Sequence, residues 1–171
     1  ESASSGPIMQ GSIGAGTGMT SFDFAGGIGT SSRILDLSKG DTYTIGILVL
    51  SNFGKMRNLT IDGGVVGKQL DNEFDQAGRR EQSEGSIIVV VATDIPLINS
   101  QLNRVAKRAA LGLGRTGSYA AATSGEIIIA FSTGNRKPRQ SAPSNNILTL
   151  KCISDHHINL VYETVIEATE E

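Results

Sequence analysis

A continuous run of apolar, mostly β-branched residues is the feature that most limits how this chain can fold. Residues 87–92 read Ile-Ile-Val-Val-Val-Ala, and they follow directly on Gly85 and Ser86. A run of this composition and length predicts a buried β-strand. A polar and charged segment, residues 71–84, precedes it. We therefore expect Ser86 to place a hydroxyl at the first residue of a central strand, just after an exposed segment.

Further strands and two helices are predicted on either side of this run. The predicted strands cover residues 31–37, 43–50, 56–67 (short, with a glycine break), 86–93, 127–133 (buried) and 147–153. The first helix has an apolar stripe, with Pro96 in its first turn, Asp94 near its N-cap, and Gly112, Gly114 and Gly117 at its end. The stripe consists of Ile98, Leu102, Val105, Ala109 and Leu113. The second helix carries Ile158, Val161, Tyr162, Val165 and Ala168 at helical spacing.

The segments between these elements are predicted to be exposed. Residues 70–84 and 134–146 are polar and lack periodicity, and Arg104, Lys107 and Arg108 suit a solvated helix face better than a basic patch for a partner. Strands interleaved with two helices predict layered α/β (α+β) structure around a buried sheet.

Composition restricts the class of partner. The 171 residues fit one domain, and the net charge of -2 argues against a surface for nucleic acid or anionic membrane. No stretch approaches the ~20 apolar residues of a membrane span. Cys152 is the single cysteine, so disulfides do not hold the fold, and the compartment is left open, cytoplasmic or periplasmic. The first residues do not form a signal peptide, and both ends suggest a truncated chain.

The inventory of reactive side chains excludes the commonest hydrolytic sites. The only histidines, His156 and His157, are adjacent and precede a structural helix, so neither a Ser-His-Asp triad nor a metal site is favoured. The glycine-rich stretch at residues 14–18 superficially resembles a phosphate loop, but it lacks the Lys-Ser/Thr ending and the strand before it. A turn-rich segment is the preferred interpretation, and its bare backbone could line the wall of an active site.

A serine can also be activated by its own α-amino group once it becomes N-terminal. That amine has a pKa of about 7.7–8.0 and sits beside the hydroxyl. The device requires a cut just before the serine, and Gly85 would allow the Ser86 hydroxyl to reach its carbonyl. On chemistry alone, a Gly-Ser pair before a strand is a weak signal.

Six short sequence segments support the interpretation of Gly85-Ser86 as a cleavage site. They stand in the order seen in the DmpA-type aminopeptidases. They are residues 14–19, 26–33, 51–54, 85–94, 109–117 and 124–126. The chain resembles this family, which includes L-aminopeptidase/D-amidase/esterases and β-peptidyl aminopeptidases. The resemblance implies an αββα sandwich like that of N-terminal-nucleophile hydrolases and ornithine acetyltransferases. It also implies a precursor that cleaves itself at Gly-Ser and works without a metal or other cofactor.

The resemblance further implies the roles of particular residues. Cleavage between Gly85 and Ser86 would make residues 1–85 the C-terminal part of an α-subunit and residues 86–171 most of a β-subunit of one αββα domain. Ser86 would be the nucleophile. Ser124 and Glu126 would assist proton transfer, and their i, i+2 spacing puts both on one face of a strand. Asn52 would donate to the oxyanion, and Gly14, Gly16, Thr17 and Gly18 would bind substrate.

The expected substrates are short peptides, amides or esters, and the expected assembly is a homo-oligomer of cleaved αβ units. A related hydrolase of linear-amide oligomers or an acyltransferase of the same fold remains an alternative, although those relatives commonly use threonine where Ser86 stands. A non-catalytic ligand-binding domain that uses the glycine-rich stretch is a second alternative. A third hypothesis, compatible with the first, is a subunit that needs the region before residue 1, which by the resemblance would supply strands and part of the substrate-ammonium site. Preference for L-, D- or β-residues is not readable from these residues.

Overall fold

The computed structural model describes residues 5–38, 40–74, 85–136, 147 and 149–171. The strands are β1 Thr20–Ser21, β2 Phe24–Ala25, β3 Gly27–Ser38, β4 Asp41–Asn52, β5 Thr60–Ile61, β6 Gly64–Val65, β7 Gly85–Thr93 and β8 Ser124–Ser132. The α-helices are α1 Gly67–Glu73, α2 Asn99–Arg115 and α3 Ile158–Glu170, and the two 3₁₀ turns are Gly14–Gly16 and Met56–Asn58.

The long strands form a four-stranded sheet in the order β3-β4-β7-β8, and β1-β2 and β5-β6 form two small antiparallel pairs. The apolar run is thus an inner strand, as predicted. Its burial alternates: Ile87, Val89 and Val91 are buried, whereas Ser86 and Ile88 are exposed. Strand β7 therefore packs one face into a core and leaves the other accessible among the described residues.

Strand β8 differs more from its prediction as a buried strand. It stands at the end of the strand order, and Ile127, Ile129 and Phe131 are 56%, 54% and 46% exposed. The more apolar of its two faces is the exposed one, which is the reverse of what hydrophobic alternation predicts. Among the described residues, β8 is therefore an edge strand with an exposed apolar row.

The chain divides into two compact units. The first unit comprises Glu1–Thr30, Leu48–Ile88 and Gly114–Ile127. Its buried apolar side chains are Phe22, Phe53, Met56 and Ile87. All the predicted site residues belong to this unit.

The second unit comprises Ser31–Ile47, Val89–Leu113 and Ile128–Glu171. Its core joins the sheet to α2 and α3 and includes Ile45, Ile47, Val89, Val91, Val105, Ala109, Val161 and Val165. The amphipathic stripe predicted for α3 is confirmed, since Ile158, Val161, Val165 and Ala168 are buried there and Tyr162 is half-buried.

The basic residues of α2 have structural partners within this unit. Arg104 forms an ion pair with Asp155 at 2.6 Å, and this hydrogen bond lowers the pKa of the Asp155 carboxyl below its usual range. The Arg108 guanidinium lies 4.3 Å from the centre of the Tyr162 ring. Lys107 is exposed, so these residues form a solvated helix face as predicted.

Helix α2 begins later and ends later than predicted. It starts at Asn99, so Pro96 precedes it, and the Asp94 carboxylate accepts the Thr44 N–H at 2.7 Å instead of capping the helix. Gly112 and Gly114 lie inside the helix. Gly112 is needed there because a Cβ would stand 2.5 Å from the Ile166 carbonyl oxygen of α3.

The two helical glycines make a matched test of this packing. Gly112→Ala is expected to lower the free energy of unfolding by about 1–3 kcal/mol, since its methyl group forces α2 away from α3. Gly114→Ala meets no heavy atom within 4 Å and is expected to raise it by about 0.5–1 kcal/mol through helix propensity. Denaturant unfolding of both variants checks this. Equal effects in the two variants would contradict it.

Three other predictions were wrong. Residues 56–67 form a 3₁₀ turn and the β5-β6 hairpin, because Asp62 and Gly63 adopt φ of 48° and 72° in a tight turn. Residues 67–73 are helical, not a loop, and the rest of that predicted loop, residues 75–84, lies outside the described residues. Residues 147 and 149–153 form no strand, since the Asn135 carboxamide pairs with both backbone groups of Lys151 at 2.7 and 2.9 Å.

Candidate active site

The predicted nucleophile stands on the accessible face of the sheet. Ser86 is the second residue of β7 and is exposed. A Cβ added to Gly125 of the neighbouring strand β8 would lie 4.0 Å from the Ser86 Cβ. Ser86 and Gly125 therefore share one face of the β7-β8 pair.

Ser124 and Glu126 form a hydrogen-bonded pair on the other face. The Ser124 hydroxyl donates to a Glu126 carboxylate oxygen at 2.5 Å, and both residues are half-buried. Because side chains alternate along a strand, these two point away from the face that carries Gly125 and Ser86. The structure brings the hydroxyl and carboxylate together, and it places the Ser86 side chain of the uncut strand on the opposite side.

The glycine before the serine is pressed against the end of β4. A Cβ at position 85 would lie 2.5 Å from the Asn52 carbonyl oxygen and 2.9 Å from the Phe53 Cα. Both neighbours are backbone atoms, which do not move aside as a flexible side chain does. Only glycine fits here, and the Gly85-Ser86 peptide consequently starts beside Asn52.

Asn52 is the last residue of β4 and is half-buried. Its side-chain oxygen accepts the backbone N–H of Thr20 at 3.2 Å. This hydrogen bond distinguishes the two ends of the carboxamide, since the end that faces Thr20 must be the oxygen. The N–H₂ group is then the end directed away from Thr20.

A small cavity joins Gly85 and Ser124. It has a volume of about 10 Å³, room for roughly one water molecule. Its lining residues are Phe53, Gly54, Asn58, Gly85, Gly117, Ser118, Tyr119, Ala121 and Ser124. The sequence did not single out Asn58, Ser118 or Tyr119. The one sequence feature that pointed to these residues was Gly117. It has a φ of 101°, and a Cβ added to it would lie 1.8 Å from the Asn58 carbonyl oxygen.

Three backbone N–H groups of the glycine-rich stretch already donate hydrogen bonds to residues 12–14. Gly16 donates to the Ile13 carbonyl at 2.8 Å, Thr17 to the Gly14 carbonyl at 3.2 Å, and Gly18 to the Ser12 hydroxyl at 3.1 Å. A phosphate loop needs converging N–H groups that remain open to the anion. Gly16 is buried against Gly27 and Ile28 of β3, whereas Gly14, Thr17 and Gly18 are exposed. The geometry disfavours phosphate binding here.

The histidine pair belongs to the second unit. His157 contacts the Ser154 hydroxyl through Nδ1 at 3.0 Å, and both residues belong to the second unit. In the part of the chain that the structure describes, no cluster of three His, Cys, Asp or Glu side chains could hold a metal ion. None of the described helices is both long and apolar enough to cross a membrane.

The layered fold has close counterparts among solved structures. The L-aminopeptidase D-Ala-esterase/amidase of Ochrobactrum anthropi, described as a variant of the Ntn (N-terminal-nucleophile) hydrolase fold, is 42% identical with a TM-score of 0.84 over 98% of this chain and 44% of its own. A protein from Pyrococcus horikoshii OT3 is 46% identical with a TM-score of 0.84 over 96% of this chain and 43% of its own. This chain thus has an α/β fold of the N-terminal-nucleophile hydrolase type.

The family follows from the sequence as a whole. The sequence pattern of peptidase family S58 matches residues 1–171, so the chain belongs to that family. It is 40% identical over 186 residues to the β-peptidyl aminopeptidase BapA of Sphingosinicella xenopeptidilytica. The aligned region covers 100% of this chain and 44% of that relative. The chain therefore spans less than half the length of these relatives. The resemblance to the DmpA-type aminopeptidases is confirmed.

Proposed function

We propose that this chain forms part of a self-processing aminopeptidase or amidase with Ser86 as its N-terminal nucleophile. The observation that carries the proposal is the close contact between Gly85 and Asn52 at the start of the Ser86 strand. Membership of a peptidase family supports the reaction class. The names of the relatives, a β-peptidyl aminopeptidase and an L-aminopeptidase D-Ala-esterase/amidase, support short peptides, amides and esters as substrates.

Self-cleavage proceeds in two chemical steps. The Ser86 Oγ attacks the Gly85 carbonyl carbon, and the C–N bond breaks as the hydroxyl proton passes to the departing nitrogen, which leaves an ester. Water then hydrolyses this ester into the Gly85 carboxylic acid, which ionises, and a free Ser86 with its hydroxyl restored. The Asn52 N–H₂ donates to the oxyanion of the tetrahedral intermediate, which is where charge develops. The packing of Gly85 against the Asn52 backbone supports this role, because it brings the scissile peptide close to residue 52.

Turnover uses the new α-amine as the base. The amine accepts the Ser86 hydroxyl proton as Oγ attacks the substrate carbonyl, and this proton then goes to the leaving amine. Water releases the acyl group from Ser86. No metal or other cofactor enters this scheme.

The Ser124-Glu126 pair assists these proton transfers. In the uncut chain the peptide bond holds the Ser86 side chain on the Gly125 face. After cleavage residue 86 has a free amino end and can turn toward the pair, so self-processing itself completes the site. The carboxylate orients the Ser124 hydroxyl, which already donates to it.

The cleaved product would consist of residues 1–85 and 86–171 as parts of paired α- and β-subunits that assemble as homo-oligomers. Gly14, Thr17 and Gly18 are proposed to form a substrate wall through their exposed backbone, with the buried Gly16 supporting the wall from behind. A linear-amide hydrolase or acyltransferase of the same fold would share the nucleophile and differ in the acceptor. A ligand-binding domain is less well supported, because the N–H groups of residues 16–18 have internal partners.

The intact mass of the denatured protein, expressed from its complete gene, tests this proposal. Two fragments that meet between Gly85 and Ser86 are expected. Carbamylation of the free amine on Ser86 should then abolish hydrolysis of an amino-acid p-nitroanilide. One uncut mass and no hydrolysis would overturn the proposal, and transfer of the acyl group to an added amine in preference to water would favour the acyltransferase.

A further inference from the structure

A strained two-residue turn stands beside the proposed oxyanion donor. The β1-β2 hairpin pairs Thr20 with Ala25 and Ser21 with Phe24, and its turn residues Phe22 and Asp23 adopt φ of 51° and 67°. Positive φ is uncommon for a residue with a side chain and is strained for a bulky one such as Phe. Strain of this kind persists only where surrounding contacts hold it, and it is frequent at functional sites.

Close contacts to Phe22 come from the two residues that follow Asn52. The Phe22 ring leaves no space for a side chain on Gly54, whose Cβ would lie 2.7 Å from it. The same ring meets the Phe53 ring edge-on at 5.1 Å, and the Phe22 N–H donates to the Phe53 carbonyl at 2.9 Å. Phe22 is only 6% exposed. The turn is therefore locked onto residues 53–54.

The hairpin residues beside Phe22 also form hydrogen bonds with this segment. The Asp23 carboxylate accepts the Met56 N–H at 2.9 Å, and the Ser21 hydroxyl donates to the Ser51 hydroxyl at 2.8 Å. The Thr20 N–H donates to the Asn52 side-chain oxygen. Four successive hairpin residues thus hold the segment from residue 51 to residue 56.

We propose that the β1-β2 hairpin is a clamp that positions the Asn52 carboxamide against the Gly85 carbonyl, with Asp23 as a positioning residue. The inference rests on the proposed function of Asn52. The segment held by the clamp is the one whose backbone contacts Gly85, at Asn52 and Phe53. Asp23 fixes the segment beyond Asn52, while Thr20 sets which end of the amide faces the scissile bond. A displacement of about 1 Å at such a group can cost roughly 10²-fold in rate.

Two variants of Asp23 separate its carboxylate from the strain of its backbone. Asp23→Gly removes the acceptor for the Met56 N–H and relieves the positive φ, so the fold is not strained further. It is expected to slow self-cleavage and lower kcat by about 10-fold, with KM changed less than about 2-fold. Asp23→Asn keeps an acceptor oxygen and tolerates positive φ, and it should restore both rates to within about 2-fold. Rates come from intact mass during cell-free synthesis and from amide hydrolysis by the cleaved protein.

A double-mutant cycle identifies the residue through which Asp23 acts. Asn52→Ala alone is expected to slow self-cleavage by about 10²–10³-fold. If the clamp acts through Asn52, adding Asp23→Gly should change this rate by less than about 2-fold. A further 10-fold loss in the double variant, or a wild-type kcat in Asp23→Gly, would overturn the clamp and leave the proposed function intact. A wild-type rate in Asn52→Ala would instead remove Asn52 from the proposed function, and the clamp with it.

Discussion

Replacing Ser86 with alanine is expected to leave one uncut chain that hydrolyses no amide substrate at a measurable rate. The methyl group cannot attack the Gly85 carbonyl, so neither the ester nor the free α-amine forms. Loss of the nucleophile from a serine hydrolase lowers kcat by roughly 10⁶-fold. Intact mass under denaturing conditions and hydrolysis of an amino-acid p-nitroanilide measure the two consequences together.

The fold should not respond to this change. Ser86 is exposed, so its hydroxyl is not part of a buried network. The far-UV circular dichroism spectrum of Ser86→Ala should match that of Ser100→Ala, an exposed serine on α2 that should still cleave normally. Ser86→Cys supplies a second nucleophile and should retain self-cleavage. Two fragments in Ser86→Ala would show that another group cuts the chain and would refute the assignment of the nucleophile.

Adding a single methyl group at Gly85 is expected to have the next largest effect. In Gly85→Ala, the new Cβ would lie 2.5 Å from the Asn52 carbonyl oxygen and 2.9 Å from the Phe53 Cα, so the scissile peptide must move away from β4. In the proposed mechanism, this shifts the Gly85 carbonyl carbon relative to the Asn52 donor. Self-cleavage should slow by about 10²-fold, a loss typical of a misplaced reacting group. A time course of intact mass after synthesis measures the rate.

Gly46→Ala is the matched control for Gly85→Ala. Gly46 also lies in a strand, β4, but a Cβ there meets no heavy atom within 4 Å. It should cleave at the wild-type rate. Equal rates for Gly85→Ala and wild type would show that the contact with Asn52 does not align the scissile bond.

The local pattern around Ser86 predicted the strand that carries it, and the structure confirms that strand at Gly85–Thr93. The family resemblance, not spacing, supplied Asn52, Ser124 and Glu126 as candidates. The sequence could not show that Asn52 contacts Gly85, since β4 and β7 become neighbours only through pairing between distant segments. Nor could it show that Ser86 and the Ser124-Glu126 pair start on opposite faces, because that depends on which strands become neighbours.

Other differences arise from interactions that periodicity does not encode. The Asp62-Gly63 turn was readable as a hairpin signal, and missing it led to the wrong strand at residues 56–67. The wrong strand at residues 147–153 has a different cause, since the Asn135 side chain takes over hydrogen bonds that a strand partner would make. The left-handed Phe22 had no signal at all, because a bulky residue is among the last expected there.

The exposed row on β8 affects how this chain behaves during synthesis. Residues 127–131 place Ile127, Ile129 and Phe131 on one face, contain no charge or proline, and lie in a strand at the end of the described sheet. The outer edge of such a strand can form backbone hydrogen bonds with a second newly synthesised copy, and its exposed apolar side chains can pack against that copy. If the chain processes itself as proposed, aggregation would compete with that step, and Ile129→Lys would act as a gatekeeper against it.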